Sequence, residues 1–397
     1  MTIPSIQKNF NSLGAEDFSH QRTKYQHDQH PKSLYTAELA AKAVEPTVWT
    51  CGKAADRQKR GGILDPITNQ RPFFAFVHVY KTGGTSIREF LREYATVCKK
   101  SLALVERCNY KLASVDIKGC KDSGGVNAPQ GIDNVNSTIL HDHYDILGGH
   151  FSFGMADDIF PNAATTPDNS DDAAYQVRHM VFLRQPMTKF VSHILYQQKM
   201  GNQDKTDTLE DTVKDIKKRV RKFRNDGEYV GSLKFPQGPN VFRQLLTPEQ
   251  FKIELEQTIE EVMALKTKLA IDNLMRYNAI VGITEMVPQS IKIFEHALGQ
   301  IVSSSSKKEE VQDFFSRYTG EDEPKENGSN RGDISTGSVL KELEKDEEFM
   351  AIFREFVKYE EMLYDAAMDM HEKQYEAVTK GHFERYTLES SDGVPSN

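Results

Sequence analysis

The stretch FFAFVHVYKTGGTSIREF, residues 73–90, decides the fold class of this chain. Its first part is apolar and β-rich, with Phe73, Phe74, Phe76, Val77 and Val79. It breaks at Lys81-Thr82-Gly83-Gly84-Thr85-Ser86, and a helical pattern follows with Ile87, Phe90, Leu91 and Tyr94 on one face. A strand, a glycine turn and a helix start in succession aim unpaired backbone N–H groups and the positive helix end at one point, which attracts phosphate or sulfate. The plain alternative is an ordinary βα turn whose glycines serve geometry alone. Lysine, paired glycines and paired hydroxyls coincide here, which favours an anion site.

The loop is not a Walker A motif, which needs its lysine after the glycines, and it lacks the G-x-G-x-x-G of a dinucleotide fingerprint. Lysine first, then Thr-Gly-Gly-Thr-Ser, resembles the 5′-phosphosulfate loop of the sulfotransferases. More narrowly, HVYKTGGTS (78–86) is similar to the H-[IV]-P-K-T-G-G-T-S loop of the Golgi carbohydrate sulfotransferases, the heparan sulfate 2-O- and 6-O-sulfotransferases among them. Tyr80 stands where that family usually has proline. The resemblance implies that Lys81, Thr82, Gly83, Gly84, Thr85 and Ser86 bind the donor 3′-phosphoadenosine 5′-phosphosulfate at its 5′ end. Lys81 would also be catalytic, stabilising charge on the bridging oxygen.

A second segment, FLRQPMTKFVSHILY (182–196), reads as a strand end from His179 to Leu183, then Arg184, Pro186 at a helix start and an amphipathic helix. It resembles the family's 3′-phosphate motif R-D-P-x-x-R-x-x-S-x-Y, in which Arg184 and Ser192 match the two residues that grip the 3′-phosphate. A guanidinium at a strand's carboxyl end and a hydroxyl two helical turns on can converge on one dianion. Gln185 replaces the usual aspartate and Lys189 the usual arginine, which puts the local ion pair in question.

GGHFSFG (148–154) ends a further strand with two glycines, an imidazole and an aromatic. Sulfuryl transfer to a hydroxyl needs a base, and imidazole titrates in the useful range. A Gly-His at this place supplies the base in the family, so the resemblance gives that role to His150, with His141 and His143 as second choices. The alternative is a packing or substrate-orienting His150. His78 reads as a structural histidine alternating with core residues, and Glu285 in VGITEM as a structural hydrogen-bonding residue similar to the family's V-G-x-T-E.

The chain has 397 residues, enough for one large α/β domain with extensions or for two domains, and 38% hydrophobic content permits a proper core. A net charge of −8 gives no support to nonspecific nucleic-acid binding. No apolar run approaches a membrane span, and no signal peptide opens the chain. Golgi localisation is therefore implied by the resemblance alone, while Met1 as a native start would imply the cytoplasm. Four cysteines (Cys51, Cys98, Cys108, Cys120) define no disulfide scaffold. One bridge among the last three in an oxidising lumen and free thiols in a cytosol both remain open. Two glycosylation sequons, at Asn136 and Asn327, are near chance for this length.

Residues 1–71 read as a polar, partly disordered extension with one helical patch from Ser33 to Val44, 72–378 as the catalytic domain, and 379–397 as a tail. Within the domain the pattern gives loops at 109–137 and 161–174, and a strand from Tyr144 to Leu147. A helix runs from Thr208 to about Asn225 and carries seven basic residues between Lys214 and Arg224, a solvated face or an acidic-polysaccharide groove. A capping-box Thr247 with Pro248 opens a long amphipathic run. A buried strand follows at 278–286, then a helix from Val287 to Leu298, an exposed loop at 301–338 and a final helix from Val339 to about Val378.

Strands alternating with helices predict an α/β fold with a parallel sheet flanked by helices, and the resemblance specifies a P-loop-like sulfotransferase sheet. The expected activity is sulfuryl transfer to an acceptor hydroxyl, carbohydrate being favoured and possibly acidic, with no metal. A kinase of related P-loop fold and a catalytically silent nucleotide-binding relative are the alternatives.

Overall fold

The computed structural model describes residues 35–47, 50–51, 71–106, 121–122, 144–153, 175–201, 208–225, 241–251, 258–299, 301–302, 316 and 334–380. In chain order these form α1 (Ala37–Ala43), β1 (Thr50–Cys51), β2 (Arg71–Val77), α2 (Gly84–Val97), β3 (Leu102–Glu106), β4 (Lys121–Asp122), β5 (Ile146–Gly149) and β6 (Tyr175–Leu183). There follow α3 (Pro186–Gly201), α4 (Leu209–Asn225), α5 (Val241–Leu245), α6 (Pro248–Phe251), α7 (Ile259–Arg276) and β7 (Ile280–Ile283). A 3₁₀ turn (Thr284–Met286), α8 (Val287–Leu298), β8 (Ile301–Val302), α9 (Thr336–Leu343) and α10 (Glu347–Lys380) complete the order.

The main sheet has the order β4-β3-β5-β2-β6-β7. Five strands run parallel, and only the edge strand β4 is antiparallel to its neighbour. Parallel strands covered on both faces read as near-continuous apolar runs, because neither face can be polar. In β2 the pleat sends Phe73, Ala75 and Val77 into one core, packed with α1, α5, α7 and α10. Phe74 and Phe76 enter the other, with α2 and α8. A third apolar cluster joins α3, α4, α9 and α10 through Phe190, Ile194, Ile216, Val220 and Phe353. The result is a helix–sheet–helix sandwich with β2 at its centre.

Several elements depart from the sequence reading. Residues 35–47 belong to the folded domain rather than to a polar extension: Ala40, Ala43 and Val44 are fully buried. Arg178 of β6 pins this segment, its guanidinium donating to the carbonyls of Ala43 and Glu45 at 2.7 and 2.8 Å and to Thr47 Oγ1 at 3.0 Å. The run opened by Pro248 is two helices, α6 and α7, each with its own capping box, Thr247–Gln250 and Thr258–Glu261. The final helix is also two. Asp346 ends the link after α9 and caps α10, accepting from Phe349 N–H at 2.9 Å while pairing with Lys217 of α4 at 2.7 Å. The strand placed at 144–147 lies at Ile146–Gly149. Cys98 is disulfide-bonded, while Cys108, Cys120, both sequons and the 161–174 insertion fall outside the described residues.

Candidate functional site

Ligands of open parallel sheets lie outside the carboxyl ends of the strands, where the strand order reverses direction. Here that point is β2, flanked by β5 on one side and β6 on the other. The chain leaves β2 at Val77 and must turn into α2 within six residues, 78–83. It does so with Lys81 and Gly83 in the left-handed region, at φ 63° and 76°. The turn is closed from inside by Thr82, which is fully buried and donates its hydroxyl to the Val79 carbonyl at 2.9 Å. Thr82 is therefore a structural member of the loop, its hydroxyl proton already committed. Thr284, after β7, holds the loop from outside: its Oγ1 lies 2.9 Å from the carbonyls of both Thr82 and Leu183.

Gly84 is required by crowding. A Cβ there would sit 1.6 Å from His78 Nε2, so the imidazole is packed directly against the start of α2. Gly83 is the N-cap and supplies no side-chain hydrogen bond, and no acidic residue lies in the first turn. The amides of Ser86 and Ile87 are taken by the Gly83 carbonyl. Those of Gly84 and Thr85 come before the intrahelical ladder, as the first amides of any helix do.

Cations gather at this end. Arg184 follows β6 directly, and its Nη1 lies 3.4 Å from the Lys81 carbonyl. Lys81 Nζ stands 4.3 Å over the ring of Tyr196 on α3. Burial, then the nearby charges of Arg184 and Lys199, lower the Lys81 ammonium from 10.5 to about 8. Lys81 and Arg184 are partly buried here and Lys199 is exposed beside them, so positive charge collects at this end, and an anion would relieve it. Ser192, on the same helix α3, is 1% exposed, and its Oγ has no hydrogen-bond partner among the described residues. Buried polar groups are as a rule paired, so this hydroxyl stands out among the buried side chains of α3.

The two departures in the second motif have structural replacements. Gln185 Oε1 accepts from Thr188 N–H at 2.7 Å and from Thr188 Oγ1 at 2.8 Å, so the amide caps α3 as the aspartate would. Its Nε2 donates to Glu361 of α10 at 2.9 Å. Lys189 is buried and paired with Glu360 of α10 at 2.7 Å. Glu285 has the structural role expected of it: it accepts from Gln185 N–H at 3.2 Å and from Tyr364 Oη at 3.0 Å, with Arg184 Nε at 3.9 Å. Burial, followed by Asp365 and Glu360, pushes the Glu361 carboxyl up to about 7. A small cleft lies between this acidic face and the loop, with Thr82, Arg184, Lys189, Glu360 and Tyr364 among its walls.

His150 follows β5 and is half-buried. Its Nδ1 lies 2.7 Å from the His78 carbonyl. A carbonyl only accepts, so Nδ1 carries the proton and the neutral ring's lone pair is on Nε2. The ring is stacked between His78, at 4.1 Å, and Tyr80, at 3.8 Å with an interplanar angle of 6°. His78 lies just past the strand rather than alternating within it. The strand stops at Val77, and His78 Nδ1 is buried with no partner among the described residues. Burial first, then His150, Arg88 and Lys81, hold His78 well below 6.5, so it stays neutral.

The structure thus brings Lys81, Thr82, Gly83, Gly84, Thr85 and Ser86 into one loop and helix start, with Arg184 against it and His150 stacked beside it. Ser192 sits on the helix that faces Lys81. His141, His143 and Gly154 lie outside the described residues. Tyr196 and Tyr364 stand beside these residues without having been singled out in the sequence, and Thr284 is the threonine of the V-G-x-T-E stretch, whose part in holding the loop the sequence did not announce. Among the described residues no cluster of His, Cys, Asp or Glu could hold a metal ion, and no helix is long and apolar enough to cross a membrane. Compared with known proteins, the chain matches no family model, and no curated protein matches it.

Proposed function

We propose that this protein moves the sulfuryl group of 3′-phosphoadenosine 5′-phosphosulfate to an acceptor hydroxyl, with a carbohydrate as the acceptor class favoured by the loop's resemblance. The observation that carries this reading is the meeting of Lys81 and Arg184 at the uncapped N-terminus of α2. The Ser192 hydroxyl, buried without a hydrogen-bond partner among the described residues, supports it further. The Gly84 and Thr85 amides, with the helix dipole, hold the 5′-phosphate. Arg184 and Ser192 hold the 3′-phosphate. Lys81 neutralises the charge that grows on the bridging oxygen as its bond to sulfur breaks. His150 takes the acceptor's proton on Nε2 as the new oxygen–sulfur bond forms, and the electron pair of the broken bond leaves on the nucleotide's phosphate oxygen. In-line displacement of this kind depends on positioning and charge neutralisation, as phosphoryl transfer does. The Cys98 disulfide fits an oxidising lumen such as the Golgi.

Transfer of radiolabel from the labelled donor to a panel of carbohydrate and other hydroxyl acceptors tests the reading. The expected result is a labelled sulfate ester, with Lys81→Ala cutting turnover by roughly two orders of magnitude at saturating donor. Tight nucleotide binding with no transfer to any acceptor would instead identify a silent binding protein. A preference for ATP would identify a kinase.

A further inference from the structure

We infer that Tyr80 is a positioning residue: with His78 it forms an aromatic clamp that fixes the tautomer and orientation of His150. The inference rests on the reading of His150 as the base. Its foundation is the stacking of two rings, His78 and Tyr80, from the segment that leaves β2, on the single ring of His150. His78 stands at 4.1 Å on one face and Tyr80 at 3.8 Å on the other, the Tyr80 and His150 rings 6° from parallel.

The backbone completes the clamp. His78 N–H donates to the Gly149 carbonyl at 2.8 Å, prolonging the β2–β5 ladder by one bond. The His78 carbonyl then accepts from His150 Nδ1 at 2.7 Å. One residue therefore sets the depth of the imidazole, the proton on Nδ1 and one stacking face, while Tyr80 closes the other face. Without that second face the ring can rotate about χ2 and leave the carbonyl, and the base loses its defined lone pair. Val79 between them is fully buried and anchors the segment. Tyr80 thereby supplies by stacking an order that a proline at this position would have to supply through backbone stiffness.

The test uses the full chain with isotope-labelled histidines and imidazole proton–nitrogen correlation spectra, the His150 signals being assigned by their loss in His150→Asn. The parent and Tyr80→Phe are expected to show His150 as a single Nδ1–H tautomer. Tyr80→Ala should show a tautomer mixture. In the transfer assay Tyr80→Ala should lose about tenfold in turnover at saturating donor, the cost of a loosened reacting group. Its donor affinity should be unchanged, and Tyr80→Phe should restore turnover. Tyr80→Leu repeats the test with a bulky apolar side chain that has no ring face, should the alanine variant not fold. A single Nδ1–H tautomer and parental turnover in Tyr80→Ala or Tyr80→Leu would overturn the clamp. If the chain transfers no sulfuryl group at all, the proposed function falls, while the tautomer spectra still decide the clamp.

Discussion

The turn after β2 leaves the start of α2 without a side-chain cap and without an acid in its first turn. The neighbouring turn after β6 closes the start of α3 with Gln185 and ties Arg184 to Glu285. Both turns join a strand to a helix at the same edge of the same sheet. A helix without a ligand is more stable when capped, by about 1 kcal/mol. The open turn therefore gives up stability that the closed turn keeps, and it does so beside Lys81, Arg184 and Lys199. The contrast separates a surface shaped for an anion from a frame that aims a guanidinium at it.

The sharpest way to break the contrast is to fill the open turn. Gly84→Val places a branched side chain where a single Cβ already falls 1.6 Å from His78 Nε2. Either the imidazole or the helix start must move, so nucleotide binding should disappear and stability should fall by about 3 kcal/mol. Calorimetric titration and denaturant unfolding would check both; preserved affinity would mean that the α2 start is not the anion site.

A second test uses pH. The Lys81 ammonium is lowered from 10.5 to about 8, chiefly by burial and then by Arg184 and Lys199. A bound phosphate pushes it back up, so above pH 8 binding must take up a proton. Nucleotide affinity should therefore fall as pH rises through this range, by up to about tenfold per unit. Below it, Lys81 should contribute no slope. Lys81→Arg, charged throughout, should flatten the profile; an unchanged slope in that variant would assign the proton to another group.

The smallest effect is expected on the closed side. Gln185→Ala removes the cap of α3 and should cost about 1 kcal/mol of stability. Because α2 is untouched, binding at the 5′ end should survive, as the affinity for adenosine 5′-monophosphate would show. A loss of several kcal/mol would mean that the Gln185–Glu361 contact, 2.9 Å long, carries more of the domain than its capping role does.

How much of this was legible in the sequence follows the range of the interactions involved. The β2–α2 unit could be read because an apolar run, two glycines and a helical stripe lie within eighteen residues, 73–90. The helix from Val287 to Leu298 was read to its ends, because Pro288 and Gly299 mark them locally. The inclusion of 35–47 could not be read, since it depends on Arg178 reaching a segment more than a hundred residues away. The break before α10 was missed because the apolar periodicity continues across it, although Asp346 three residues before Phe349 is a capping signal. At the site, the motifs gave the loop, Arg184, Ser192 and His150 as candidates. Tyr80 registered only as a missing proline, because its partner ring comes from another strand. Replacement of the aspartate and arginine pair by Gln185 and Lys189 was legible as a change. Its repair by Glu361 and Glu360 was not, because α10 lies far along the chain.

The most direct test of the central claim, that the open turn and its framed arginine bind the two ends of one 3′-phosphorylated nucleotide, compares two ligands on one protein. Calorimetric titration with 3′-phosphoadenosine 5′-phosphate and with adenosine 5′-monophosphate, at one pH and salt concentration, isolates the 3′-phosphate. The expected result is binding at least about a hundredfold tighter for the first, the scale of a charge-assisted contact worth roughly 3 kcal/mol, with the gap nearly abolished in Arg184→Ala. Equal affinities in the parent protein, or a gap that persists without Arg184, would contradict the account.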